Sequence, residues 1–219
     1  MSVEERERHI IDGAIEFFAR QGFDGQLRDL AKHIGVAHTL LYHYFPTKQA
    51  LIDRVYADVF EGRWKKEWEG WLDDPSLSAE DKFTLFYVDY AKTVLTYDFV
   101  RILIFSGLTD QTITNRFFEL LRKKLFPRLI RETRRYRGDH SKTKPTVSEQ
   151  ELLMGLHGGV FYSGMRRWVY AQAVVEPKAN DAYDKVAIRN QVRAYLQASK
   201  TLLASSTHRH NAKEKVVWL

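Results

Sequence analysis

The chain has no cysteine among its 219 residues. That excludes a disulfide scaffold, a thiolate zinc site and a cysteine nucleophile, and it fits a reducing compartment. Long apolar runs are missing too: Val100 to Leu108 is interrupted by Arg101 and is far too short to cross a bilayer. The opening residues Ser2 to Arg8 place charges where a signal peptide needs an apolar stretch. A cytoplasmic protein with no membrane partner is expected. No sustained alternation of polar and apolar residues argues for strands. HExxH, P-loop, GxSxG and dinucleotide-binding patterns are absent from the sequence. His157 is a lone histidine beside glycines, and His208 and His210 sit in a polar tail. No metal, no cofactor and no catalysis is expected. A helical enzyme stays as a rival class, and measurable turnover would support it.

What is present is apolar material at helical spacing almost everywhere, with 44% hydrophobic residues, enough for a substantial core. The expected fold is all-α. The formal charge of +6 is unevenly placed. Residues 1–50 carry six basic side chains against seven acidic ones, whereas residues 122–144 carry ten basic against Glu132 and Asp139. Net charge alone therefore does not point to a nucleic-acid reader.

The first helix is expected from about Glu4 to Gln21, with Ile10, Ile11, Ala14, Ile15, Phe17 and Phe18 on one face and Gly22 as its stop. Leu27 to Ile34 makes a short second helix, followed by Gly35, which can supply the positive φ of a sharp turn. A third covers His38 to Tyr44. Thr47 caps a fourth, whose inner stripe starts at Leu51 and whose end carries Trp64, Trp68 and Trp71. Asp73-Asp74-Pro75 breaks the chain, and Ser78 opens a helix reaching about Thr96. Further helices are expected at 99–107 and 111–137, the latter kinked at Pro127. Ser148 with Glu151 reads as a capping box for a long helix to about Val174. Pro177 precedes a last helix at about 180–204, and Val216 to Leu219 end a polar tail.

Helix, glycine turn, short helix and capped helix over Leu27 to Leu51 is the pattern of a DNA-reading helix-turn-helix. His38, Thr39 and Leu40 are expected to project toward base edges. Tyr42, His43 and Lys48 are expected to meet the backbone, with Gln26 and Arg28 as further candidates. Lys48 also lies in the first turn of the fourth helix, where free N–H groups take phosphate oxygens. Tyr44 and Phe45 are read as closing the small core.

Residues 10–51 resemble the N-terminal domain of the tetracycline-repressor-like (TetR/AcrR) family of bacterial regulators. The likeness lies in Ala14, Phe18 and Gly22-Phe23, then Arg28-Asp29-Leu30-Ala31, Gly35-Val36, and Leu41-Tyr42-His43-Tyr44-Phe45 followed by Lys48 and Leu51. The resemblance implies about nine helices, a homodimer, a palindromic operator and its release when a small molecule enters the second domain. It divides the chain into a DNA-binding domain at 1–47, an effector and dimerisation domain at 48–205 and a tail at 206–219. Where the family usually has threonines this chain has Gly25 and Gln26, and Ala37 stands for a serine, so two hydroxyl contacts are missing. Thr39 and Leu40 also depart from a frequent glycine and a small polar residue.

In the second domain, the candidates for an effector wall are Trp64, Trp68, Phe86, Tyr90, Arg101 and Phe105, although an aromatic stripe also serves as plain core. Arg101, if it points inward, calls for an anionic ligand; otherwise it snorkels to water. The basic stretch at 122–137 is read as the solvated face of an amphipathic helix, with membrane or extra DNA contact as the alternative. Gly155, Gly159 and Ser163 fall four apart on one helix. With Trp168, Val192, Tyr195 and Leu196 they form the candidate dimer surface, which internal packing could equally use. The expected function is a homodimeric repressor responsive to a small-molecule effector, with an activator or a ligand-independent regulator as alternatives.

Overall fold

The computed structural model describes residues 1–172 and 185–203. Among these residues the chain is all-helical, with eleven α-helices and two π-helical turns. The tail at 206–219, with His208, His210 and Val216 to Leu219, lies outside the described residues, as do Pro177 and the expected start of the last helix.

Helix α1 spans Val3–Gln21 and opens with a capping box: the Glu5 amide donates to Ser2 Oγ at 3.1 Å, and the Ser2 amide to the Glu5 carboxylate at 2.6 Å. It buries Ile10, Ile11, Ala14, Phe17 and Phe18, the face expected from their spacing. It stops at Gly22, whose φ of +75° leaves its N–H bonded to the Phe18 carbonyl at 2.9 Å. Helix α2, Leu27–Ile34, ends on Gly35 in the left-handed region at φ 77° and ψ 30°, and this turns the chain into α3, His38–Tyr44. Thr47 Oγ1 accepts from the Ala50 amide at 3.0 Å and opens α4, Lys48–Tyr56.

The expected long fourth helix does not continue into the tryptophans. A π turn, Ala57–Glu61, ends at Gly62, and α5 starts anew at Lys66–Asp73. The break has two causes, one local and one long-range. Gly62 is a poor helix former, and the Arg63 guanidinium is drawn off to Asp98 and Thr96. Trp64 therefore lies in a linker, and only Trp68 and Trp71 sit on α5.

Helices α6 (Ala79–Val94) and α7 (Tyr97–Leu108) follow, α6 opened by Ser78 Oγ accepting from the Asp81 amide at 3.1 Å. Helix α8, Thr112–Leu120, runs through a second π turn, Leu121–Leu125, into α9, Phe126–Tyr136. Pro127 lacks the N–H that the helical ladder needs at its position, and the wider turn just before it absorbs that loss in place of a plain kink. Helix α10 spans Val147–Trp168, and α11 spans Lys185–Leu202. The box that opens α10 is Thr146 with Glu149, not Ser148 with Glu151: the Glu149 amide donates to Thr146 Oγ1 at 3.2 Å and the Thr146 amide to Glu149 at 2.9 Å. Glu149 wins because Arg134 also claims its carboxylate at 2.6 Å, a long-range contact that fixes the register of the cap. Helix α10 ends at Trp168, short of the expected Val174.

The chain forms two compact units. The first comprises Met1–Trp64, Thr93–Phe118 and Gly164–Gln172. Its core joins the α1 and α2 faces with Leu41, Phe45, Leu51 and Val55, and continues through Phe60, which packs on Phe99 at 4.6 Å. The second comprises Lys65–Lys92, Glu119–Ser163 and, among described residues, 185–203. Its core holds Trp68, Phe83, Phe86, Leu129, Leu153, Val160, Val192 and Leu196.

The basic stretch of the second unit is largely neutralised within that unit. Glu132 receives Lys82 at 2.6 Å, Arg131 at 3.2 Å and Arg135 at 2.7 Å. Arg128 reaches Glu69 at 2.6 Å and Asp73 at 3.5 Å, and Arg131 also pairs with Asp73. Arg134 and Arg137 meet on Glu149. Burial works to raise the Glu149 carboxyl, but hydrogen bonds from Arg134, the Thr146 amide and Arg137 outweigh it and hold the group at about 2. Among the described residues no helix is long and apolar enough to cross a membrane.

Candidate nucleic-acid interface

Helix α3 is held from below by Leu41, fully buried, and Phe45, while Thr39, Tyr42 and His43 are exposed and His38 and Leu40 half-buried. Its N-cap is Ala37, in extended conformation with no side-chain hydrogen bond to the first turn. The leading N–H groups of α3 are thus left uncapped by the Ala37 side chain, at the positive end of the helix. The His38 ring meets Tyr42 edge-on at 4.8 Å. This pair packs one turn of α3 against itself and limits the rotamers that both rings can adopt.

An open cleft of about 520 Å³ lies where α2, α3 and α4 converge, and Gln26, Arg28, His38, Tyr42 and Lys48 all border it. Five of the eight residues expected to meet DNA therefore share one concavity, while Thr39, Leu40 and His43 lie elsewhere on α3. Gln26 is the N-cap of α2 but makes no side-chain cap bond, so its amide is not committed to the helix end. Arg28 is exposed and has no ion-pair partner among the described residues.

Lys48 is more constrained than its sequence position suggested. Its ammonium donates to the Gly25 carbonyl at 3.0 Å and to the Phe23 carbonyl, tying the α1–α2 connection to the start of α4. An ammonium has three donors, so one is left for a phosphate. Gly25 explains its own departure from the family pattern: a Cβ there would lie 2.7 Å from Phe17 Cε1. The aromatic ring under the loop has taken the room that a threonine would need.

Residues 10–55 match the family described as bacterial regulatory proteins, tetR family. The match covers the helix-turn-helix segment and part of the helix that follows it. Over nearly its whole length the chain also shares the fold of solved regulators. A TetR-like transcriptional regulator from Rhodococcus sp. RHA1 superposes with a TM-score of 0.62 at 16% identity, covering 92% of this chain and 98% of that one. A tetR-family transcriptional regulator from Streptomyces coelicolor gives 0.60 at 16% identity, with 94% and 86% covered. The ketosteroid transcriptional regulator of Mycobacterium tuberculosis gives 0.59 at 16% identity, with 90% and 96% covered. No curated protein matches the chain by sequence. The chain has the fold of a tetR-family transcriptional regulator with a DNA-binding helix-turn-helix.

The residues expected to form an effector wall fall into separate groups. Trp68, Phe86 and Tyr90 are buried together in the second unit; the Trp68 indole donates to Asp89 at 2.7 Å, and its ring meets Phe86 edge-on at 5.5 Å. Trp64, Arg101 and Phe105 belong to the first unit. Arg101 neither snorkels nor waits for an anion. Its Nε donates to the Ala19 carbonyl at 2.5 Å, and its terminal nitrogens approach the Arg20 and Trp168 carbonyls at 3.4 Å each. Ala19 and Arg20 are at the C-terminal end of α1, so the guanidinium caps the negative pole of that helix. It also stands 5.3 Å over the rings of Tyr97 and Phe105. Phe105 closes on Gly22, where a Cβ would sit 2.9 Å from its ring.

The expected dimer residues also separate. Val192, Tyr195 and Leu196 are buried in the second unit, where Tyr195 stacks on Phe83 at 5.8 Å and its hydroxyl lies 2.8 Å from Thr133 Oγ1. Trp168, in the first unit, donates its indole N–H to the Leu95 carbonyl at 2.8 Å. Gly155 and Gly159 border a mostly apolar groove of about 350 Å³ between α10 and α11, with Leu152, Ala194 and Ala198. Ser163, one turn on from Gly159, bonds back to the Gly159 carbonyl at 3.5 Å.

Proposed function

We propose that the chain is a homodimeric transcriptional repressor that reads a palindromic operator with residues 1–47 and leaves it when a small-molecule effector enters residues 48–205. The observation that carries the DNA-reading part is the shared cleft. Gln26, Arg28, His38, Tyr42 and Lys48 border one open concavity while Leu41 and Phe45 anchor the helix behind it. Core packing alone has no use for a polar, uncapped helix end presented in this way. One such module covers one half-site, and a second copy related by a two-fold axis supplies the other.

The α10–α11 groove supports the dimer. Its lining is small and apolar, and a Cβ built on Gly155 meets nothing within 4 Å, so a facing helix has room to approach. Of the sequence-derived interface, Gly155, Gly159 and Tyr195 line this groove, and Leu152, Ala194 and Ala198 join them. Release is a population shift: the effector binds the DNA-incompetent geometry more tightly than the competent one. Such a regulator works in the cytoplasm, beside the chromosome.

Selection of bound duplexes from a random DNA pool by the full chain at near-physiological salt, with sedimentation equilibrium beside it, tests this reading. An enriched inverted repeat and a dimer mass are the expected results. A folded monomer, or a folded dimer that enriches nothing, would contradict it.

A further inference from the structure

Helices α6 and α10 bring Tyr87 and His157 together inside the second unit. Their rings stand 6.0 Å apart; Tyr90 closes on His157 at 5.4 Å, and Phe126 meets it edge-on at 5.7 Å. Tyr87 is fully buried and His157 is 3% exposed. Yet among the described residues the Tyr87 hydroxyl and His157 Nδ1 have no hydrogen-bond partner, and neither does the Thr84 hydroxyl, buried one turn before Tyr87 on α6. Buried polar atoms are satisfied in the great majority of cases, and one left bare forfeits its hydration without a replacement bond. Two bare atoms on facing rings, with a third one turn away, are a hydrogen-bonding set without its complement.

The set carries no charge. Burial holds the His157 imidazole down at about 4, so the ring is neutral at physiological pH, and burial pushes the Tyr87 hydroxyl well up. The buried charges described in this unit are closed on one another, Lys82 on Glu132 and Arg134 on Glu149. Arg101, the cation that an anionic effector would have needed, is committed to backbone carbonyls.

We propose that Tyr87 and His157, with Thr84, bind the effector, and that it is an uncharged, largely apolar ring compound carrying a hydroxyl or carbonyl group. The aromatic walls take its body and the bare polar atoms take its one polar group. The proposal rests on the effector-released repressor described above and deepens it by naming the ligand class.

Calorimetric titration of the full chain with two probes of the same two-ring body, 2-naphthol and 2-naphthoate, tests the proposal. 2-Naphthol binds about tenfold or more tightly than 2-naphthoate, because nothing in the site offsets the desolvation of a carboxylate. Tyr87→Phe weakens 2-naphthol by about tenfold, one hydrogen bond's worth. Its melting temperature without probe stays at or above that of the parent, since the variant removes only a bare hydroxyl. A hydroxyl with a merely structural role would instead lower the melting temperature and leave affinity intact. Equal or tighter binding of 2-naphthoate, no binding of either probe at millimolar concentration, or an unchanged 2-naphthol affinity in Tyr87→Phe would each overturn the proposal. Binding of 2-naphthol that leaves operator affinity untouched would uphold the site and overturn effector release instead.

Discussion

The reading module and the basic stretch at 122–144 invert what their charge counts suggest. Residues 1–50 are nearly neutral in sum, yet they present Arg28, His38 and Tyr42 at an open cleft. Residues 122–144 carry ten basic side chains, yet Arg128, Arg131, Arg134, Arg135 and Arg137 all end on carboxylates of their own unit. Where a charge stands matters less to function than whether the fold has already used it. Three of the carboxylates that collect these arginines, Glu69, Asp73 and Glu149, lie outside α9.

That contrast is open to breakage at several points. The most severe is the buried centre of the basic network. Glu132→Leu leaves Lys82 buried without its partner and lowers unfolding stability in urea by about 3–5 kcal/mol, whereas Lys82→Met combined with Glu132→Leu recovers most of it. A double variant as unstable as the single would mean that the pair is not the cause.

Acid titration of stability comes next. His157 is held at about 4 in the folded chain against an ordinary value near 6.5, so the unfolded chain takes up a proton first as pH falls. Stability therefore drops between about pH 6.5 and 4, by on the order of 3 kcal/mol, and His157→Leu flattens that limb. Glu149 has the depressed carboxyl's sign: its contribution is complete above its ordinary value of 4.5 and is lost as pH falls toward about 2. The Arg134–Glu149 pair thus weakens only in the second, more acidic limb.

On the reading side, His38→Ala or Arg28→Ala costs about 1–3 kcal/mol against the preferred duplex and, for His38, relaxes preference at one base position. The same substitution at Arg131 leaves duplex affinity unchanged. The dimer's log–log salt slope is about −5 to −7, and a much steeper value would bring the basic stretch into the contact. The smallest effect is at Lys48. Lys48→Ala weakens all duplexes alike and also lowers stability by about 1 kcal/mol, because its ammonium holds the Phe23 and Gly25 carbonyls. Loss of affinity with unchanged stability would return Lys48 to a purely phosphate-binding role.

The helix-turn-helix was legible because its signals are local: Thr47 caps its helix, Gly22 stops α1, Gly35 turns in the left-handed region, and the apolar spacing of α1 and α2 gives the buried face directly. What was not legible depended on long-range partners. Ser148 and Thr146 are both plausible caps two residues apart, and only Arg134, reaching across to Glu149, selects between them. Arg63 leaves the helix line to meet Asp98, so the tryptophan stripe breaks between Trp64 and Trp68. Arg101 looked like a binding cation because nothing in sequence says that the carbonyl end of α1 comes to meet it. Val192 and Leu196 were as suitable for a dimer as for a core and are buried, whereas Tyr195 is both buried and at the edge of the α10–α11 groove. Tyr87 and His157 gave no sequence signal as a pair, since they lie on helices seventy residues apart.

Hydrogen exchange of the full chain, with and without the duplex that selection enriches, tests the central claim most directly. The account predicts added amide protection over residues 26–48 and none over 122–137. Protection over 122–137 with 26–48 unchanged would contradict it, and would make the basic stretch the DNA contact after all.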